Sequence, residues 1–276
     1  MKTVLMADPV RYPRMTTNEL RETFLLGSLC EAGKLHLSYV DLDRSVAGFA
    51  APTDSPIALP TYPELRANYF TERRELGALN IGGAGSITVD GKSYYLNNLD
   101  VLYIGRGSKD ISFSSKDKSA PAVYYILSYP AHAEFPTALV RKEDASPVEL
   151  GSVETCNKRT ICKYIHLQGA RSCQLVMGVT HLAPGSNWNT MPPHTHMRRS
   201  EIYMYFNVAA DARVMHFMGP PAETRHLVLE DKDIVVSPGW SIHAGVGTRA
   251  YSFCWGMGGE NQDYADMDPA PIDSLR

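Results

Sequence analysis

The sequence predicts an all-β protein made of two β-barrels, with a few short helices. Three observations carry this. Short apolar runs recur along the chain, at 101–104, 122–127, 202–206, 226–229 and 234–236, and Gly, Pro and Asp punctuate them. Helical periodicity is sparse. A faint internal echo also links the two halves at an offset of 133 residues, from Asp100 to Asp233.

Residues 18–26 read as a short helix capped by Thr17. Residues 86–96 read as a hairpin turning at Asp90-Gly91. The glycine-rich stretch 82–85 is a tight strand connection. A phosphate loop would need a following Lys-Ser/Thr and a helix, and neither is present. In the echo, Asp100-Val101-Leu102-Tyr103-Ile104-Gly105 matches Asp233-Ile234-Val235-Val236-Ser237-Pro238 in pattern. Arg73-Arg74-Glu75 likewise matches Arg198-Arg199-Ser200-Glu201, which puts Glu75 where Glu201 stands. A duplicated barrel follows, with one copy in residues 1–145, the other in 146–276, and a join near Ala145-Ser146-Pro147.

The bulk properties exclude several classes. Twenty-seven basic against 30 acidic side chains give a net charge of −3, so no basic face points to nucleic acid. No apolar stretch reaches membrane-spanning length, and the amino end has too short an apolar run for a signal peptide. Five cysteines without a Cys-x-x-Cys pair argue against a disulfide framework and for a reducing, cytoplasmic home.

The most specific chemistry lies in the second half. His194 and His196 are two apart, as residues sharing one face of a strand are; Glu201 follows five residues later, and His243 comes after Pro238-Gly239. Imidazole nitrogen together with carboxylate oxygen suits borderline divalent metals, and these ligand types admit zinc, iron, manganese or nickel. Counting back from Glu75, the two histidine positions fall on Asn68 and Phe70, and His243 falls on Asp110 at the 133 offset. The first barrel is therefore expected to hold no metal.

His-x-His-x4-Glu followed by Pro-Gly and a later His resembles the motifs of the cupin superfamily. A closer resemblance rests on several blocks in order. Glu72-Arg73-Arg74-Glu75-Leu76-Gly77, Asn80-Ile81-Gly82-Gly83-Ala84-Gly85, Trp188-Asn189-Thr190-Met191-Pro192, Glu223-Thr224-Arg225-His226, Trp240-Ser241-Ile242-His243 and Trp255-Gly256-Met257 resemble the 5-keto-4-deoxyuronate isomerase (KduI) family. The resemblance runs from about Leu20 to the end. It implies a double cupin of two jelly-roll barrels, with one zinc per subunit on His194, His196, Glu201 and His243, and a hexamer. It also implies a ketol-isomerase of pectin and polyuronide breakdown. The reaction would convert 5-dehydro-4-deoxy-D-glucuronate to 3-deoxy-D-glycero-2,5-hexodiulosonate through an enediol.

Beyond the ligands, strand alternation sends Tyr203 and Tyr205 toward the metal, and Tyr203 is the candidate to bond the enediolate or carry a proton. Arg199 and Arg225 are the candidates for the substrate carboxylate, which a guanidinium fork matches. Trp188 and Trp240 flank the ligand segments as possible walls over a sugar. Two other functions use the same pattern: an iron-dependent cupin dioxygenase, and a non-catalytic sugar-binding cupin. The first would consume oxygen. The second usually brings a DNA-binding helical domain, and no basic helix-turn-helix pattern is present.

Overall fold

Strands buried along their whole length have to lie between two other layers. Arg74–Asn80, Tyr124–Pro130, Ser200–Phe206 and Ser252–Gly258 are such strands, with almost every residue buried. The computed structural model describes all 276 residues and stacks four main sheets in the order small, large, large, small.

In the first half a seven-stranded sheet runs Lys2–Val4, Leu35–Val40, Val46–Ala50, Tyr124–Pro130, Arg74–Asn80, Val101–Ile104, Ala138–Val140. It faces a four-stranded sheet of Ile57–Ala58, Ile111–Ser115, Gly85–Val89 and Lys92–Leu96. The second half repeats the plan. Its large sheet runs Val148–Leu150, Arg159–Ile165, Val176–Leu182, Ser252–Gly258, Ser200–Phe206, Ile234–Ser237, Leu25–Leu26. Its small sheet holds Trp188–Asn189, Ile242–Gly247, Val214–Gly219 and Arg225–Leu229.

Three cores follow. One lies inside the first half, with Leu76, Ala78, Ile87, Phe113 and Ile126, and another inside the second, with Tyr203, Phe253, Val214 and Met218. The largest joins the two seven-stranded sheets face to face, with Leu79, Tyr103, Tyr125 and Leu127 from one and Met177, Ile202, Met204 and Cys254 from the other. That contact is close enough to require glycine. A Cβ on Gly258 would stand 2.2 Å from the Tyr129 ring, so the ring occupies the space a side chain would take.

The echo at 133 residues is structural. Val101–Ile104 and Ile234–Ser237 are matching strands, and each follows the same turn. Asn97 N donates to Asp100 Oδ2 at 2.8 Å, and Glu230 N donates to Asp233 Oδ2 at 2.9 Å. The hairpin also forms as expected, with Asp90 and Gly91 both at positive φ, as a two-residue turn of this hand requires.

Three expectations need correction. The helix is Thr17–Phe24, and its cap is Thr16, which forms a capping box with Glu19. Leu25 and Leu26 leave the helix to form a strand, because they pair with Val235 and Ile234 of the second half. Consequently residues 12–26 do not stay with the first barrel, as a 1–145 division places them, although Lys2–Val4 remains at the edge of its large sheet. Tyr12, Leu20 and Phe24 pack into the second core, and the Tyr12 hydroxyl donates to Met218 O at 2.9 Å. The Ala138–Val140 strand holds the equivalent edge of the first half.

The third correction concerns Glu75. Register pairs Leu76 with Ile104 and Glu201 with Ser237, and Ile104 and Ser237 are 133 residues apart. Leu76, not Glu75, therefore occupies the position of Glu201. One residue of offset reverses the face, so Glu75 points out of its own barrel and into the other half. There its carboxylate accepts from the backbone N–H groups of Cys173 (2.7 Å), Gln174 (2.8 Å) and Leu175 (2.8 Å), and from the Tyr103 hydroxyl (2.7 Å). Glu75→Ala strands two buried amides and a partly buried one, and should cost about 3 kcal/mol of unfolding free energy. Urea denaturation measures this, and a loss under about 1 kcal/mol would deny the carboxylate its fastening role.

Candidate metal centre

Three segments bring the expected ligands together. Residues His194–Thr195 form a short strand against Asp268–Pro269, and His196 N donates to Gly239 O at 3.0 Å, which ties the segment to the turn before His243. Glu201 enters from the large sheet, on Ser200–Phe206. His243 enters from the opposite, small sheet, on Ile242–Gly247. The cluster thus bridges the two sheets of one barrel.

One ligand atom from each of the four residues lies within 4.8 Å of the others. His243 Nε2 is 3.0 Å from His194 Nε2 and 2.8 Å from Glu201 Oε2, and His196 Nε2 is 3.1 Å from the same oxygen. Ligand atoms around a tetrahedral zinc stand roughly 3.3 Å apart. Three imidazole nitrogens and one carboxylate oxygen aimed at a common point fit a borderline divalent cation. His196, Glu201 and His243 are buried, and His194 is half-buried.

The local electrostatics keep the donors ready. Burial and the neighbouring His243, against the opposing pull of Glu201, push the His194 imidazole down to about 3, so its lone pair is free at neutral pH. Burial opposes the charge on Glu201, but His243 and His196 hold its carboxyl well below the usual carboxylate range.

A cavity of about 470 Å³ opens beside the cluster. Tyr203 lines it, with its hydroxyl 3.1 Å from Thr190 Oγ1. Burial, and then the Glu201 charge, raise this phenol well above its ordinary value, so Tyr203 stays protonated. Tyr205 shares the face but lies deeper and outside the cavity lining, 2.7 Å from His216 Nδ1. Burial and then His243 push His216 down to about 3.

Neither expected arginine reaches this cavity. The Arg199 side chain is fully buried, and its Nε donates to Asp266 Oδ1 at 2.8 Å, holding the C-terminal segment. Arg225 Nη1 donates to Met15 O at 3.0 Å and anchors the N-terminal segment instead. The cations in the cavity wall are Arg159 and Lys163, on Arg159–Ile165. Arg159 donates only to Asn157 O, and neither side chain has a carboxylate partner. Trp188 and Trp240 also sit elsewhere. Trp188 stacks on Phe217, and Trp240 packs edge-on against Tyr12 and Phe24. Trp255 and Tyr264 supply the aromatic wall. The overlooked signal is period-two alternation: Arg159, Ile161 and Lys163 share the face that fronts the cavity.

A pair of stacked β-barrels, one enclosing a three-His, one-Glu cluster, defines a double cupin with a candidate metal centre. The KduI/IolB family model matches residues 33–271, and this chain belongs to that family. It is 51% identical to the 4-deoxy-L-threo-5-hexosulose-uronate ketol-isomerase of Lachnoclostridium phytofermentans, over 98% of each chain. The protein of the same name from Halalkalibacterium halodurans is 50% identical over 97% of each. Among solved structures, an IolB-like protein from Salmonella typhimurium superposes with a TM-score of 0.70 at 12% identity, covering 88% of this chain and 95% of the other. Bacillus subtilis oxalate decarboxylase, described with Mn(II) centres, gives a TM-score of 0.57 at 12% identity over 81% and 71%. At that identity the likeness is one of fold.

His243→Ala removes the only ligand from the small sheet. It should lower metal affinity by at least about tenfold while the circular dichroism stays unchanged. Elemental analysis after gel filtration measures this, and full metal content in the variant would remove His243 from the ligand set.

Proposed function

We propose that this protein is a metal-dependent ketol-isomerase. It would convert 5-dehydro-4-deoxy-D-glucuronate to 3-deoxy-D-glycero-2,5-hexodiulosonate in pectin and polyuronide breakdown. The observation that carries this reading is a His/Glu cluster at one wall of a cavity whose other wall bears unpaired Arg159 and Lys163. It is joined by half-identity, over nearly the whole chain, to proteins named for this reaction.

The chemistry assigns each group a task. The substrate carries a carboxylate at one end and an aldehyde beside a hydroxyl-bearing carbon at the other. Arg159 and Lys163 suit the carboxylate, the guanidinium as a fork and the ammonium as a point charge. A proton leaves the hydroxyl-bearing carbon, an enediol forms, and a proton returns to the former aldehyde carbon. A divalent cation held by His194, His196, Glu201 and His243 would polarise the carbonyl as a Lewis acid. Tyr203 keeps its proton, so it serves as a hydrogen-bond donor to the developing oxyanion rather than as a base. Trp255, donating to Thr180 Oγ1 at 3.1 Å, offers a fixed apolar face to the sugar chain.

The proposal extends to zinc, one per subunit, which suits a set of three imidazoles and one carboxylate. It also covers a cytoplasmic home, consistent with five free cysteines, and a homo-oligomer, a hexamer by family resemblance. No helix is long and apolar enough to cross a membrane. Each barrel serves as one functional half, the first as support and the second as the reaction chamber.

Isomerisation of enzymatically prepared substrate, followed by NMR, should be abolished by chelator and restored by zinc, with about one zinc per chain by elemental analysis. Oxygen uptake during turnover would overturn the isomerase reading in favour of the dioxygenase. Lys163→Ala should raise KM by about tenfold and leave kcat nearly intact, because a charge-assisted contact is made in ground and transition states alike. Tyr203→Phe should do the reverse. Steady-state kinetics separates the two, and an unchanged KM in the Lys163 variant would take Lys163 out of the carboxylate site.

A further inference from the structure

A second cavity, of about 540 Å³, lies in the first half, and it shares no lining residue with the metal cavity. Arg44, Arg73, Arg74 and Arg106 line it. None of the four forms an ion pair. The one carboxylate in the wall, Glu64, faces the N-terminal ammonium at 3.7 Å. In a chain of net charge −3, four unpaired guanidinium groups around one cavity are not part of a generally basic surface.

We propose that this cavity is a binding site for a small polyanion, a phosphorylated or multiply carboxylated metabolite.

Three features support a built site. First, backbone carbonyls hold part of the Arg73, Arg74 and Arg106 forks and leave the rest free. Arg106 donates from Nε to Glu72 O (3.2 Å) and from Nη1 to Ala131 O (3.3 Å) and His132 O (3.2 Å), with Nη2 unpartnered. Arg73 uses only Nη2, on the Leu65 and Arg66 carbonyls. Such anchoring fixes the direction of the remaining N–H groups before any ligand arrives.

Second, Arg74 is only 6% exposed. Its Nε bonds Ser128 Oγ (3.1 Å) and its Nη2 bonds Arg44 O (2.7 Å) and Ser128 O (3.0 Å), which leaves Nη1 without a protein acceptor. Burial lowers its pKa to about 10, still well above neutral pH, so the charge persists there without a counter-ion. A buried charge lacking a partner is costly, and an anion would relieve that cost.

Third, Asp43 and Arg44 both take left-handed backbone angles, φ +49° and +51°. Two successive non-glycine residues in this region are strained, and the exposed Arg44 side chain lies in the cavity wall. Four cations call for more than one negative charge, and planar forks suit phosphoryl or carboxylate oxygens.

Calorimetric titration of the metal-loaded full chain tests this, with inorganic phosphate in one arm and citrate in the other, and with chloride holding ionic strength constant. Saturable binding of at least one anion is expected, and the tighter of the two assigns the phosphoryl or carboxylate class. The double variant Arg44→Gln/Arg73→Gln changes two exposed side chains and should weaken binding at least about tenfold, with metal content and isomerase activity unchanged. His243→Ala should bind the anion as the parent does. Arg73→Lys, which keeps the charge and alters only the fork, is the fallback if the double variant fails to fold, and it should bind more weakly than the parent. No saturable heat with either anion, or binding lost in Lys163→Ala and kept in Arg44→Gln/Arg73→Gln, overturns the proposal.

Discussion

Period-two alternation along strands buried on both faces is the constraint on which the rest of this structure depends. On Ser200–Phe206, Ile202, Met204 and Phe206 face the other half, and Glu201, Tyr203 and Tyr205 face the barrel interior. The His/Glu cluster and the largest core are therefore back to back on a single ribbon. A shift of one residue would put the carboxylate into the inter-sheet core and an isoleucine into the site. Glu75 shows that outcome realised in the first half. There the carboxylate faces outward, and a ring of backbone N–H groups receives it.

The two barrels share a plan but are filled in opposite ways. Inside the first, Leu76, Ala78, Leu102, Ile104, Ile111 and Phe113 pack at interior positions and leave no donor set. Inside the second, His196, Glu201, Tyr203, Tyr205, His216 and His243 crowd the equivalent space. Such a polar interior is tolerable only where its members bond one another, and here they do so at 2.7–3.1 Å through the Glu201 and Tyr205 contacts. Apolar packing thus fills one copy, and titratable side chains fill the other.

Much of this was legible in the sequence because it rests on local signals. The Asp90-Gly91 turn, the repeated Asp-led strands at 101 and 234, and the His194, His196 and Glu201 group are short-range patterns with a physical cause, and His243 is marked by the Pro238-Gly239 turn before it. The misplaced parts depend on tertiary context. Arg199 and Arg225 are cations near the ligand motifs in sequence, but Asp266 and Met15 O hold them away from the cavity. Arg159 and Lys163 lie more than thirty residues before His194 and reach the site only because their strand is in the same sheet as Glu201. Matching letters align Glu75 with Glu201, and only hydrogen-bond register reveals the one-residue difference. Leu25 and Leu26 extend a helical pattern, but long-range pairing with Ile234 and Val235 wins.

That last pairing bears on how the molecule is made. A ribosome delivers Leu25 and Leu26 about two hundred residues before the strand they border, so during synthesis the early segment has to wait for its partner. The Ala138–Val140 strand, by contrast, emerges soon after Val101–Ile104 and can close the first barrel at once. Closure of the second barrel is then the late event, dominated by contacts of very long sequence separation, and such contacts are slow to form. The first barrel can finish early and offer its outer face, Glu75 included, as a template on which the second assembles.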